Sequence, residues 1–338
     1  MTKKLFITCI LITLLIFTNN VFAQQTNANE DYSAYLPEVR AFNQELAHMS
    51  QGASVLTKEG LAAARNSMAA GNSIKTQLQP SVKYITGPAG NLALRIFKPE
   101  IIRAVVLEIH GGGWSLGTAA NDDFQNDNMA RTCKVVVVSV DYRLAPENLF
   151  PACINDCKAA AKWLVNNAMK EFGTDKLFIS GASAGAHLSA VTTLYIRDSL
   201  HAIDKVRGVN LIYGCFDLSR TPSCSMATDS TLLLNKKYLD DTYELVFHGW
   251  SKEQLRNPQY SPLYADLKNL PPALFTIGTA DPLIDDTYFM EARWRLAGNK
   301  TFLAVYPESS HGFNFFPSQM TRVANEKMFE WIIALCKK

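Results

Sequence analysis

Runs of apolar residues alternate with stretches of helical spacing along this chain. Short runs at 82–86, 92–97 and 104–110 predict the first strands, and Gly87, Pro88 and Gly90 between the first two predict a hairpin. The run KVVVVSV at 134–140 is β-branched and unbroken, as a strand covered on both faces should be. Residues 152–169 have helical spacing, 176–181 reads as a strand, 183–197 as a helix and 206–213 as a strand. Strands at 273–278 and 302–306 follow, with helices over 286–297 and 319–335. Eight strands, the later ones separated by helices, predict an α/β fold with a mostly parallel eight-stranded sheet flanked by helices.

Two segments break this rhythm. Residues 24–79 are Ala-rich, with Leu and Met at helical spacing and Gly at 52, 60 and 71, which predicts two or three short helices. Residues 216–272 are long and mixed, and lack a single crossover helix between their flanking strands. Both are expected to contribute to a helical cap over the carboxyl edge of the sheet, where ligands bind in this architecture. Residues 80–338 then form the catalytic domain, with the cap insertion around 216–272.

The first 23 residues differ in kind. Lys3 and Lys4 precede an apolar stretch at 5–17 that is short for a membrane span, and Val21 and Ala23 stand where a signal peptidase takes small residues. A cleaved secretory leader at 1–23 is expected, with export to the periplasm or the exterior. Its removal takes two lysines and no acid, leaving 31 basic against 31 acidic residues. With no charged stripe or tail, neither nucleic acid nor an anionic membrane is an expected partner. A stable membrane association after leader removal is not expected, and a homodimer is left open. Six cysteines remain: Cys133, Cys153, Cys157, Cys215, Cys224 and Cys336. None forms a CxxC zinc spacing, and all are read first as small buried hydrophobes. Cys215 and Cys224 are close enough in sequence to bridge a loop, whereas Cys153 and Cys157, one helical turn apart, suit a disulfide poorly.

Four motifs carry chemistry. Gly181-Ala182-Ser183-Ala184-Gly185 follows a strand and opens a helix, the context in which G-x-S-x-G places a nucleophile on a sharp turn. His110-Gly111-Gly112-Gly113-Trp114 follows another strand. Its Gly111, Gly112 and Gly113 let backbone N–H groups face an oxyanion, with Ala184 supplying one more. His110 itself reads as scaffold. In TIGTADPLIDD, Asp281 lies just past a strand, while Asp285 and Asp286 fit a helix start. His311-Gly312-Phe313 lies in a loop after the last strand. His187, on the nucleophile's own helix, should point away from the serine. Ser183, Asp281 and His311 fall in the order Ser…Asp…His and form the expected catalytic triad.

On these motifs, together with DYRLAPE at 141–147, the chain resembles the hormone-sensitive-lipase-like bacterial esterases of the α/β-hydrolase fold from about residue 82 onward. The resemblance implies an eight-stranded sheet, a cap of N-terminal helices plus an insertion, and a structural ion-pair and hydrogen-bond network at Asp141, Tyr142, Arg143 and Glu147. Many relatives carry Asp at the position of Ala182 and Gly at that of Ala186, which bears on subfamily and substrate range.

The expected activity is hydrolysis of short-to-medium acyl esters by a serine carboxylesterase through an acyl-enzyme, with no metal or organic cofactor and a small-molecule ester as partner. Trp114, Phe216, Leu283, Ile284 and Phe313 are candidates to line the substrate pocket. An amidase or aryl-amide deacylase would use the same triad, and a non-catalytic binding protein on this fold would usually lack a triad member. Dinucleotide and ATP binding are disfavoured, since neither G-x-G-x-x-G nor a P-loop occurs.

Overall fold

A computed structural model describes residues 25–27, 30–49, 58–70 and 75–337; the expected leader lies outside them. Strands form where the β-branched runs predict them: β1 (Gln25–Thr26), β2 (Ser81–Gly87), β3 (Gly90–Phe97), β4 (Ala104–Ile109), β5 (Val135–Val140), β6 (Leu177–Ala182), β7 (Val206–Ile212), β8 (Ala273–Gly278) and β9 (Thr301–Tyr306). They make one sheet in the order β1-β9-β8-β7-β6-β4-β5-β3-β2. The eight predicted strands are all present. The ninth, β1, is a two-residue addition parallel to β9, with Gln25 opposite Phe302. β2 and β3 are the predicted antiparallel hairpin, and β3 also runs antiparallel to β5. Every other neighbouring pair is parallel.

The helices are α1 (Leu36–Met49), α2 (Lys58–Ala70), α3 (Asp123–Cys133), α4 (Ala152–Phe172), α5 (Ala184–Asp198), α6 (Pro222–Ser225), α7 (Lys236–Phe247), α8 (Lys252–Leu255), α9 (Ile284–Leu296) and α10 (Gln319–Cys336). No periodicity in the sequence predicts α3. Its termination is local, with Lys134 in the left-handed region closing the last turn onto Ala130. Gly173 ends α4 in the same way.

Side chains on β5 show how both faces are covered. Val135 and Val137 join Phe97, Phe178 and Ile332 beneath α3 and α10. Val136 and Val138 join Leu107, Ile179 and residues of α4 and α5 on the opposite face. Each such valine, fully withdrawn from water, contributes about 1.5–3 kcal/mol. That two-sided burial is why the run is continuous rather than alternating.

Register sets the site. Ile109 lies opposite Gly181, Ala182 opposite Ile212, and Gly278 opposite Tyr306, so the strands reach their carboxyl ends nearly level. The chain leaves β4 for β5 on one side and returns to β6 on the other, which makes a switch point at β4. The glycine-rich loop after β4 and Ser183 after β6 flank it.

Candidate active site

Ser183 sits between β6 and α5 at φ 57° and ψ −123°, a left-handed backbone for a residue with a side chain. Such a conformation costs about 1–3 kcal/mol and persists only where its surroundings enforce it. Here the Ser183 N–H donates to Ile212 O at 2.8 Å, and two glycines admit neighbouring backbone. A Cβ on Gly185 would stand 1.9 Å from Ile109 O, and one on Gly181 would stand 2.4 Å from Gly185 O. The turn can form only with glycine at both positions.

The loop after β9 brings His311 to this serine, with Nε2 2.9 Å from Ser183 Oγ. His311 Nδ1 lies 2.7 Å from Asp281 Oδ2, while Asp281 Oδ1 accepts the Leu283 N–H at 2.9 Å. Asp281 is 2% exposed and His311 8%, so water hardly competes for either contact. The Tyr213 ring packs against the imidazole, centroids 4.6 Å apart, and its hydroxyl donates to Asn314 Oδ1. Sequence reasoning missed Tyr213, although its place directly after β7 is a signal that could have found it.

The glycine loop is held from behind. His110 stacks on Tyr142 with centroids 4.1 Å apart, and its Nδ1 donates to Gly111 O at 2.8 Å. Tyr142 donates to His110 O at 2.9 Å. Burial pushes the His110 imidazole down to about 4, so it is a neutral scaffold group. Gly112 and Gly113 have φ of 108° and 57°. The N–H groups of Gly112, Gly113 and Ala184 have no backbone acceptor among the described residues, and Ala184 opens α5, where N–H groups point outward. Past the loop, the Trp114 indole donates to His187 Nδ1 at 3.1 Å, and His187 Nε2 donates to Tyr260 O at 2.6 Å. His187 thus faces away from the serine, as expected.

Two spaces open at Ser183. The larger, about 620 Å³, is bounded by the glycine loop and His311, with Met68, Tyr213, Leu233 and Tyr238 among its walls. The smaller, about 30 Å³, lies against Trp114, Tyr238, Leu239 and Leu283. Of the pocket residues expected from sequence, Trp114 and Leu283 therefore border the serine, and three do not. Phe216 is fully buried and packs edge-on to Phe275. Phe313 is wedged between Tyr213 and Tyr306. Ile284 opens α9 and packs on the core. In each case core packing outcompetes the site for an apolar side chain.

The DYRLAPE residues make structural ion pairs and hydrogen bonds, as expected of them, and each holds a different element. Arg143 forms a two-point bridge to Asp156 of α4, Asp141 accepts the Ala119 N–H, and Glu147 pairs with Arg65 of α2. Arg65 also donates to Ser115 O and Ala145 O, so α2 is fastened to the end of the glycine loop. Asp285 and Asp286 occupy the first turn of α9 as expected, but reach across the fold. Asp286 accepts from Phe216 N, Asp217 N and Thr221 Oγ1, and Asp285 from Ser223 N, which anchors the start of the insertion. The six cysteines among the described residues are all buried and form no disulfide, so Cys215 and Cys224 do not bridge their loop.

A serine on a sharp turn, a histidine in contact with it and a buried acid behind can together activate a hydroxyl. A family profile described as alpha/beta hydrolase fold matches residues 106–315. The chain is 36% identical to an arylesterase of Saccharolobus solfataricus over 57% of this chain and 63% of that protein. It is 33% identical to the carboxylic ester hydrolase LipN of Mycobacterium tuberculosis over 68% of this chain and 62% of that protein. The matches thus span a little under two thirds of these two relatives. In structure it is similar to a hyperthermophilic esterase from Pyrobaculum calidifontis, with a TM-score of 0.77 and 28% identity over 88% of this chain and 98% of that one.

Proposed function

The chain belongs to the alpha/beta hydrolase fold family, in its hormone-sensitive-lipase-like branch, and on that premise we propose that it is a serine carboxylesterase acting on short acyl esters. The observation that carries this reading is the unbroken contact from Asp281 through His311 to Ser183, at 2.7 and 2.9 Å, beside an open cavity. The Ser183 hydroxyl attacks the ester carbonyl as His311 Nε2 takes its proton, and Asp281 stabilises the imidazolium that forms. Donors from Gly112, Gly113 and Ala184 receive the oxyanion, each worth about 3–4 kcal/mol in sites of this kind. Gly111 serves through its carbonyl, tied to His110 and Tyr142, which fixes the loop. The alcohol leaves with the proton from His311, and water then releases the acyl group by the same steps in reverse.

The two spaces divide the substrate. The 30 Å³ chamber has room for about two water-sized groups, which suits acetyl or propionyl and excludes long chains. The 620 Å³ cavity then takes the alcohol. Its cover comes from Met68 of α2 and Tyr238 of α7, which supports the reading of residues 24–79 and 216–272 as a cap. The proposal places the enzyme outside the cytoplasm, after loss of residues 1–23. Among the described residues no helix is long and apolar enough to cross a membrane.

Turnover of p-nitrophenyl esters from acetate to palmitate, by the mature chain and by Ser183→Ala, tests the proposal. Rates should peak at two or three carbons and fall at least a thousandfold in the variant. Equal inactivity of both proteins on every chain length would overturn it.

A further inference from the structure

A second cavity of about 870 Å³ lies on the α3 and α10 side of the sheet. Asn121, Asp122, Ala182, Phe315 and Phe316 line both this cavity and the one at Ser183, so the two meet at these residues. Ala182 precedes the nucleophile, and a methyl group is all it places there. The floor of the second cavity is polar, which is unusual so deep in a fold. Glu108 is 6% exposed, accepts from Ser139 Oγ at 2.6 Å and neighbours Asp122. Burial and the Asp122 charge push Glu108 well above the usual carboxylate range, and burial raises Asp122 to about 7. The pair therefore offers a proton donor beside acceptors. Asn126 is 1% exposed and lines the same floor, its amide beside the Glu108 carboxyl but with no hydrogen bond of good geometry from Nδ2. A buried amide donor so poorly paired gains when a ligand supplies a better placed acceptor. Aromatic surface stands above this polar floor, with Phe124 44% and Phe315 38% exposed. The lining cation, Arg322, is already paired with Glu326.

We propose that the alcohol portion of the substrate is a polyhydroxylated ring, a sugar unit, that extends from the Ser183 cavity into this second one. Hydroxyl groups both donate and accept, which matches a carboxyl pair beside a poorly paired amide, and the carbon face of the ring suits Phe124 and Phe315. A paired arginine offers little to an anion. The inference deepens the esterase reading and rests on it. Ester and water yield the sugar hydroxyl and a carboxylic acid, with no other reactant.

The test compares two primary acetates of similar size, methyl 6-O-acetyl-glucopyranoside and cyclohexylmethyl acetate, with p-nitrophenyl acetate run alongside. The sugar acetate should have at least tenfold higher kcat/KM than the cyclohexyl ester. Asn126→Leu and the surface variant Phe124→Ala should each lower that ratio at least fivefold, through KM rather than kcat. A wild-type ratio at or below one, or variants that leave it unchanged, would overturn the inference while p-nitrophenyl acetate turnover keeps the esterase reading intact. Inactivity on all three esters would sink both.

Discussion

Two buried histidines border the site without entering its chemistry. His187 accepts from the Trp114 indole through Nδ1, which requires that nitrogen to be bare, and burial pushes its imidazole down to about 4. In the unfolded chain the same group titrates near 6.5. Between those values the unfolded state binds the extra proton, so His187 destabilises the fold as pH falls. A His187→Gln variant removes that liability. The stability gap between wild type and variant should narrow as pH falls from 7 to 5, by about 1.4 kcal/mol per unit below 6.5. Thermal melts at the two pH values measure it, and a constant gap would mean that the imidazole is not held neutral. At this scale the sequence was most legible where a side chain sits inside a motif, as Ser183 and His311 do. Apolar candidates such as Phe216 and Phe313 were less so, because the same side chain serves core or pocket and only packing decides.

Among the elements, α2 has a function its sequence conceals. KEGLAAARNSMAA carries no motif, yet its Arg65 fork reaches two loop carbonyls and Glu147. A planar five-donor guanidinium can make all these bonds at once, and an ammonium cannot. Arg65→Ala should therefore lower kcat/KM on p-nitrophenyl acetate about tenfold, equivalent to one charged hydrogen bond of about 1.5 kcal/mol. Arg65→Lys should recover only part of it. Steady-state kinetics on the three proteins would show this, and full recovery by lysine would count against a fork. α3 was illegible for another reason. Its sequence DFQNDNMARTC is rich in weak helix formers, and it buries Asn126 and Asp127 where a periodic reading expects apolar residues. Asp127 accepts the N–H groups of Gln77 and Leu78, a tertiary bond that no local pattern announces. The insertion resisted reading likewise, because Asp286 anchors it from 65 to 70 residues away.

Across the whole molecule, the first described residues are fastened to the last strand and helix. Asn27 mimics a strand residue on the edge of β9, its Oδ1 accepting from Val305 N at 2.8 Å and its Nδ2 donating to Val305 O at 3.1 Å. Lys327 pairs with Glu30, and Arg40 grips Glu308 three residues before His311. Asn27→Ala would leave the half-buried Val305 backbone N–H and C=O without these partners and should cost about 1 kcal/mol. Calorimetry should then record a lower Tm, and an unchanged Tm would show that this edge adds no stability. The parallel sheet and its flanking helices were legible because continuous β-branched runs have few alternatives. The latch was not, since two residues of strand leave no periodicity. The separation of Ser183 from His311 by 128 residues has a further consequence. A nascent chain carries the Ser183 motif well before the loop with His311, which follows β9, the partner strand of β8. On the proposed mechanism the half-made chain has no working hydroxyl. Appearance of catalysis during synthesis or refolding would then time completion of the fold, and a chain stalled before its final strand would not attack the esters around it.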